Sequence, residues 1–519
     1  MLKSSLMVRA RVYVFLAFFL LTAYALTFSS SVTSSTIGEG DSKIVLLSSF
    51  VNAGQVNVMP HRGVEGLFGL SYTWHEFGQN FFVLPFFIIL KSLRGTGYPF
   101  FISNAVLTAL AAVLLMKMLM IMGYGQRASC LTSLFYGLGT FAWFYAAKAP
   151  FEQPVAVFLL LGEFYFVLKY VLEKPARKRH YLFISAAFMG FGVLTKTELA
   201  LSAIPLAALL WGGLGGLPER KKVFVSAFLV FFLVLIPFAA FYLFYDFIRF
   251  GSLFQTGYSR FVSPAFFKPR YLPMGIAGFL FSPGKSMFLY SPVILLAMFF
   301  ARDFSRRVPK FVFRAVCLTV LVYFLFYSTW VDWHGDYCWG PRYLLLITPF
   351  LVMPMASLFE RWRGLARASR ALALAALVAS VTVQAMPAVS NYYLGLVMKY
   401  GWNSNARSET RLRLGDEGSV SLWESFFRIK ESAFINQFGI FADTTRASLD
   451  PESGPEIIAR LQRKWPTGIF NALMKWDGLY RFDLWWAQAG TREAYLGAGA
   501  IFILALSSLC GLAGELKRE

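Results

Sequence analysis

Charge is scarce in this sequence. Only 15% of its 519 residues are Asp, Glu, Lys or Arg, where soluble domains carry about 25%, so an ordinary soluble globular domain is excluded. Cysteine is scarcer. Cys130, Cys317, Cys338 and Cys510 form no spaced motif and three of them fall inside apolar runs, which leaves neither a disulfide framework nor a zinc site. Acid is short relative to base, 28 residues against 49, for a net charge of +21. In a soluble chain that surplus would suggest nucleic acid. Here the basic residues gather in short loops between apolar runs, so the surplus reports sidedness in a bilayer instead. A Ser/His/Asp constellation for covalent catalysis is also lacking.

Apolar sequence is what the chain has in abundance: 57% hydrophobic and 18% aromatic. Runs of roughly 18 or more apolar residues recur along nearly the whole length, each able to cross a hydrocarbon layer about 30 Å thick. The runs are continuous rather than alternating, so backbone satisfaction in lipid demands helices. The expectation is an all-α polytopic membrane protein. Lys3, Arg9 and Arg11 precede the first run, which puts the amino terminus in the cytoplasm. The basic loops "LEKPARKRH" (172–180), "PERKK" (218–222), "ARDFSRRVPK" (301–310), "ERWRGLARASR" (360–370) and the tail "ELKRE" share that side under one partition. It sets crossings near 12–30, 100–121, 129–146, 153–172, 181–196, 198–214, 223–247, 287–301, 311–327, 343–358, 371–388 and 493–513. That makes about 12 transmembrane helices with both termini cytoplasmic, in an inner (plasma) membrane.

"NFFVLPFFIIL" (80–90) is apolar but short, and reads as a juxtamembrane helix lying in the interface of a first outer loop at 31–99. A membrane module at 1–390 would then be followed by an extracytoplasmic segment at 391–492 and a final crossing with its tail at 493–519. A cleaved signal peptide, with "AYA" at 23–25 as its cleavage site, is the competing reading of the first run. Either reading leaves the next residues outside the cytoplasm.

Polar groups concentrate on that outer side. "STIGEGDSKIVLLSSFVN" (35–52) places Glu39 and Asp41 in a glycine-punctuated turn with Lys43 close behind. Lys148 and Glu152 stand between two crossings, and Lys196 and Glu198 interrupt "GVLTKTELAL" (192–201). Asp332, His334, Asp336 and Arg342 are interleaved with Trp330, Trp333 and Trp339. Ionisable groups near membrane depth are costly and usually functional, so with Asp41 these residues would line a cavity opening outward. Interfacial anchoring or ion pairing within the protein is the plainer alternative for each. "SPGKSMF" (282–288) ends like a phosphate-binding P-loop, but Phe279 occupies the position of the required glycine. No nucleotide site follows, although Lys285 can still meet a phosphate as a point charge.

Several segments carry a resemblance: "YTWHEFGQNFFVLPFF" (72–87), "YGLGTFAWFYAAKAPFEQP" (136–154), "RFGSLFQTGYSRF" (249–261), "FSPGKSMFLYSPV" (281–293) and "WHGDYCWGPRYLLLITPF" (333–350). In this order, after an opening span and an acidic outer loop, they resemble the GT-C superfamily of membrane glycosyltransferases over roughly residues 10–390. That superfamily includes protein O-mannosyltransferases and the transferases that add aminoarabinose to lipid A. The resemblance implies a GT-C-like bundle with juxtamembrane helices in the first outer loop. It also implies an enzyme that moves a hexosyl or pentosyl unit from a polyprenyl-phosphate donor to a glycan, lipid or protein acceptor, with inversion, on the extracytoplasmic face. The base it implies is Asp41, with Glu39 second. Asp41 directly precedes a helical-looking stretch, where its other role would be an N-cap.

Charge develops on the donor phosphate as the glycosidic bond breaks, so cations belong nearby. Lys196, Arg260, Lys285 and Arg342 are the candidates. Tyr290, Trp333 and Trp339 would stack on sugar faces, and Lys43, His75, Glu76, Gln79, Lys148, Glu152, Glu198, Asp332 and His334 complete the substrate-binding set. No cofactor is required; His75 and Glu76 leave room for a divalent cation. The rival readings are a transporter or flippase of lipid-linked sugars, which predicts internal repeats that are not found, and a surface polysaccharide ligase or polymerase.

Overall fold

The computed structural model describes residues 2–29, 39–90, 92, 97–173, 178–261, 267–335, 338–392, 426–429, 432–464 and 482–517. Most of the extracytoplasmic segment expected at 391–492 therefore lies outside the described residues. Seven helical segments among them are long and apolar enough to cross a membrane: Tyr98–Ile121, Gln153–Leu172, Arg220–Phe250, Lys310–Ser328, Arg342–Glu360, Arg367–Val389 and Arg492–Lys517. All seven coincide with expected crossings. The other expected crossings, apart from the first, are shorter or broken. The first is the helix Leu2–Leu26; 129–146 divides into Gln126–Gly139 and Ala142–Ala147; 287–301 divides at Ser291, where Pro292 starts a new helix. Even Arg342–Glu360 opens as a 3₁₀ turn and restarts at Thr348–Val352 and Met355–Glu360. Pro349 and Pro354 stand at those restarts, as expected of a residue that removes a helix donor and fits only a first turn.

The helix Gln153–Leu172 lies at the centre. It packs against Tyr98–Ile121, His180–Thr195, Ala203–Gly213 and the 3₁₀ turn Arg342–Ile347, and most of its length is buried. Leu2–Leu26 turns Val12, Leu16, Leu20 and Tyr24 inward at the four-residue spacing that puts side chains on one face. Tyr24 then donates to the carbonyl of Gly137 at 3.1 Å. Arg220–Phe250 is peripheral and leaves nearly all of its apolar side chains exposed or half-buried, so its natural surroundings are lipid tails.

The first outer loop carries a helix at Glu39–Ala53 and the expected short helix at Gly78–Ile89. Between them lies a small antiparallel sheet of β1 (Asn57–Val58), β2 (Val64–Glu65) and β3 (Ser71–Tyr72), in the order β1-β3-β2. Asp41 falls in the first turn of Glu39–Ala53 rather than before it, so the N-cap reading does not hold. The segment before the last helix straps onto the end of the first. The indoles of Trp485 and Trp486 donate to the carbonyls of Ala25 and Leu26 at 2.8 and 2.9 Å.

Gly78 fixes how the outer loop meets the bundle. A Cβ there would lie 2.3 Å from the carbonyl carbon of Leu194 and the amide nitrogen of Thr195. Backbone atoms cannot swing aside, so Gly78→Ala must displace one helix from the other. The expected cost is about 1–3 kcal/mol, read as a lower melting temperature in detergent, whereas Gly54→Ala is expected to show strain only from its positive φ, since nothing stands within 4 Å of that position.

Candidate active site

A carboxylate between two lysines organises this end of the bundle. Glu152 immediately precedes Gln153–Leu172, whose first turn holds Pro154, so its side chain starts beside an end of the helix that favours negative charge. Lys43 of Glu39–Ala53 forms an ion pair with Glu152 Oε2, and Lys196 Nζ lies 3.1 Å from Oε1. Lys196 reaches in because its backbone is extended, with φ −148° and ψ 114°, between the end of His180–Thr195 and the 3₁₀ turn Thr197–Ser202. It also meets Glu198 Oε1 at 2.9 Å, to which Tyr327 donates its hydroxyl at 2.9 Å. Gln79 accepts from Lys43 at 3.0 Å and donates to the carbonyl of Phe151 at 3.1 Å. His75 Nδ1 stands 4.0 Å from Glu152 Oε2.

Arg342 flanks the same cluster. Its guanidinium covers the rings of Phe151 and Tyr343 at 4.8 and 4.9 Å, and Lys196 Nζ lies 5.8 Å from the Tyr343 centroid. Lys43, His75, Gln79, Glu152, Lys196 and Arg342 are all buried. Burial alone would push the Glu152 carboxyl up, but Lys43, Lys196 and His75 outweigh it and hold the group below the usual carboxylate range. Glu76 goes the other way. Burial first, then the neighbouring Glu152 and Glu198, raise it to about 8, and Thr197 donates to its Oε1 at 2.9 Å. One carboxyl is thus kept charged and another kept protonated at neutral pH, the separation that acid–base sites use.

Other expected site residues stand elsewhere. Lys148 pairs with Asp483 Oδ2 at 3.2 Å, and Ser29 donates to that same oxygen at 2.7 Å, so Lys148 anchors the strap. Lys285 donates to the carbonyls of Cys338 and Gly340 at 2.8 and 3.3 Å. Tyr290, Trp333 and Trp339 are fully buried in the core rather than lining an open surface; Tyr290 and Trp339 pack edge to face at 4.7 Å, and Trp333 packs against Phe279 at 5.6 Å. His334 stacks on Phe426 at 4.5 Å and lies 3.8 Å from Asp332. The side chains of Glu39, Asp41 and Arg260, and Asp336 as a whole, lie outside the described residues. Asp41 is nevertheless two residues before Lys43 in one helix, a rise of ~3 Å along its axis.

Sequence reasoning missed Arg249 and Asp246. These buried residues close the end of Arg220–Phe250 as an ion pair at 2.5 Å, and Arg249 donates to the carbonyls of Thr73 and His75 at 2.8 and 3.2 Å. That contact holds the His75–Glu76 segment against the bundle. An acid and a base three residues apart at the end of a long apolar helix was the available signal. Among the described residues no three His, Cys, Asp or Glu side chains form a group able to hold a metal ion, so no divalent-cation site is assigned to His75 and Glu76.

No family model and no curated protein matches the chain. Solved structures do. The oligosaccharyltransferase of Archaeoglobus fulgidus in its apo form superposes with a TM-score of 0.51 at 12% identity, covering 79% of this chain and 60% of that one. The same enzyme in complex with Zn and sulfate gives 0.50 at 15% identity, over 78% of this chain and 57% of that one. ArnT from Cupriavidus metallidurans bound to undecaprenyl phosphate gives 0.48 at 16% identity, over 86% and 80%. The likeness to the archaeal enzyme is one of fold: this chain shares the helical architecture of that oligosaccharyltransferase.

Two measurements test the electrostatics. Glu152→Gln leaves two buried lysines facing a neutral amide and is expected to cost about 3–5 kcal/mol; adding Lys43→Met should recover part of that loss, a coupling that a double-mutant cycle in detergent reads directly. Glu76 sets a pH dependence. Between the ordinary 4.5 and about 8, the folded chain holds a proton that the unfolded chain has released, so stability declines as pH rises through that window. Glu76→Gln should flatten the decline, and a wild-type melting temperature that rises from pH 5 to 8 contradicts the assignment.

Proposed function

We propose that this chain is a membrane glycosyltransferase that takes its sugar from a polyprenyl-phosphate carrier. The observation that carries the reading is the convergence of Lys43 and Lys196 on Glu152, with Arg342 over the adjoining Phe151 and Lys43 carried by the helix that opens with Glu39 and Asp41. Three cations at the end of an apolar bundle are positioned for the phosphate of a lipid whose chain lies in the bilayer and whose headgroup reaches the surface. The GT-C fold supports the same class, because structures sharing that fold include an archaeal oligosaccharyltransferase.

In the proposed reaction the acceptor hydroxyl oxygen attacks the anomeric carbon from the face opposite the phosphate. The new carbon–oxygen bond forms as the bond to the phosphate oxygen breaks, and the electron pair leaves with the polyprenyl phosphate. The acceptor proton passes to the carboxylate of Asp41, with Glu39 the alternative base. Lys196 and Arg342 oppose the charge developing on the leaving phosphate. Lys43 couples the base-bearing helix to those cations through Glu152. One in-line displacement inverts the anomeric centre and needs no covalent nucleophile. The site would face the extracytoplasmic side, with both termini in the cytoplasm, as the distribution of basic loops favours.

The purified chain, supplied with polyprenyl-phosphate sugars and envelope acceptors, tests this. Asp41→Asn should keep donor binding and lose about 10²- to 10⁴-fold in kcat, the contribution of a placed general base. Arg342→Ala should raise the donor KM by about 10- to 100-fold, the worth of one charge-assisted contact. Full turnover by both Asp41→Asn and Glu39→Gln would remove the base from this helix.

A further inference from the structure

The turn between β2 and β3 has an uncommon residue at its tip. Phe68 adopts φ 59° and ψ 22°, and Gly69 follows at φ 68°. Two consecutive left-handed residues between Leu67 and Leu70 close the hairpin, with Gly66 N–H donating to the carbonyl of Leu70 at 2.8 Å and Leu70 N–H to that of Leu67 at 3.1 Å. Such positions ordinarily take Gly, Asn or Asp, and a bulky aromatic there is strained. Phe68 is also 88% exposed. Strain and exposure of one large apolar ring point to a function for that ring.

The surroundings say what covers it. The hairpin is seated on the end of the Arg220–Phe250 helix. A Cβ on Gly66 would lie 2.3 Å from the carbonyl oxygen of Arg249, one on Gly251 would lie 3.0 Å from Leu67, and Tyr72 packs edge to face on Phe250 at 6.0 Å. Beyond the left-handed Gly251, which ends the helix, the chain presents Leu253 and the 84%-exposed Phe254. On the helix itself, Phe244 and Phe247 are exposed just before that end. This helix is the least buried of the seven long ones; Phe238 and Phe241 pack on Phe191 and Phe81, while its opposite, exposed face meets lipid, and Phe68 and Phe254 extend that exposed apolar surface past the helix end. Phe and Leu side chains on an apolar face bury into the boundary between headgroups and acyl chains.

We infer that the Leu67–Leu70 tip, together with Leu253 and Phe254, inserts into the leaflet on the side of the lysine–carboxylate cluster and anchors the first outer loop to the membrane. The occupant is the acyl and headgroup boundary of the bilayer itself. The anchor acts on the part of the loop that Arg249 ties to His75, but the inference stands independently of any transferase activity.

The experiment uses the full chain in nanodiscs of phosphatidylcholine and phosphatidylglycerol. Cys317 and Cys510, the exposed native thiols, are replaced by Ala, and Phe68→Cys carries an NBD fluorophore. The expected result is blue-shifted emission quenched several-fold by lipids doxyl-labelled near the headgroup, with a label at Glu65→Cys remaining water-like. A water-like tip label untouched by the quencher overturns the inference and leaves a protein partner as the occupant. Hydrogen exchange supplies a label-free check. Residues 64–72 should exchange more slowly in nanodiscs than in micelles, and Phe68→Asn, which suits the left-handed turn, should abolish that slowing without lowering the melting temperature. Equal slowing in Phe68→Asn also overturns the inference.

Discussion

The buried carboxylate of Glu152, held between Lys43 and Lys196, is the interaction on which the rest depends. A charge in an apolar bundle is tolerated only when its partners are close and its remaining hydrogen-bonding capacity is met. Here the partners come from separate parts of the chain: the opening helix of the outer loop, the start of the central helix, and the break after His180–Thr195. None of these can move far without stranding a charge. The electrostatic demand for satisfaction therefore does the positioning, and brings the segment beginning with Glu39 and Asp41 to the place where cations gather. Gln79 and Arg249 extend the constraint by tying the rest of the loop to backbone carbonyls.

Such a cluster also separates two carboxyls that are nearly neighbours in space. Glu152 gains two ammonium groups and stays charged; Glu76 sees burial and other carboxyls and keeps its proton to about pH 8. The difference is environmental, because both are unremarkable glutamates in the sequence. A site with one fixed negative charge and one protonated acid can steady cations and donate a hydrogen bond at the same pH.

How far the sequence carries can be judged residue by residue. The membrane class, the seven long helices and the short helix at Gly78–Ile89 were legible, because hydropathy and length are local properties. The continuity of the remaining crossings was not. A hydropathy run registers composition, whereas Pro292, Pro349 and Pro354 decide where the backbone restarts. In the site, Lys43, His75, Glu76, Gln79, Glu152, Lys196, Glu198 and Arg342 were singled out and do come together, since ionisable groups in apolar context stand out singly. Their pairing did not stand out. Lys148 finds Asp483 at a separation of 335 residues, and no spacing rule reaches that far. Arg249 opens the segment "RFGSLFQTGYSRF", and nothing in that local sequence says which distant carbonyls its guanidinium would satisfy.

The same question, asked of Lys285, explains why two sequence segments are recognisable while most of their residues never reach the cluster. Lys285 holds the carbonyls of Cys338 and Gly340, Tyr290 donates to the carbonyl of Gly284 at 2.9 Å, and Trp339 donates to Gln384 at 3.2 Å. Gly340, left-handed at φ 65°, lies so close to Tyr290 that an added Cβ would sit 3.1 Å from its ring, and the left-handed Gly335 leaves room for the Arg342 side chain in the same way. The lysine, the glycines and the aromatic rings together lock the turn from which Arg342 projects. In the proposed reaction Arg342 opposes the charge on the leaving phosphate, a role a guanidinium can fill only if its backbone does not wander, so the most distinctive residues of these segments would serve its aim rather than the contact itself.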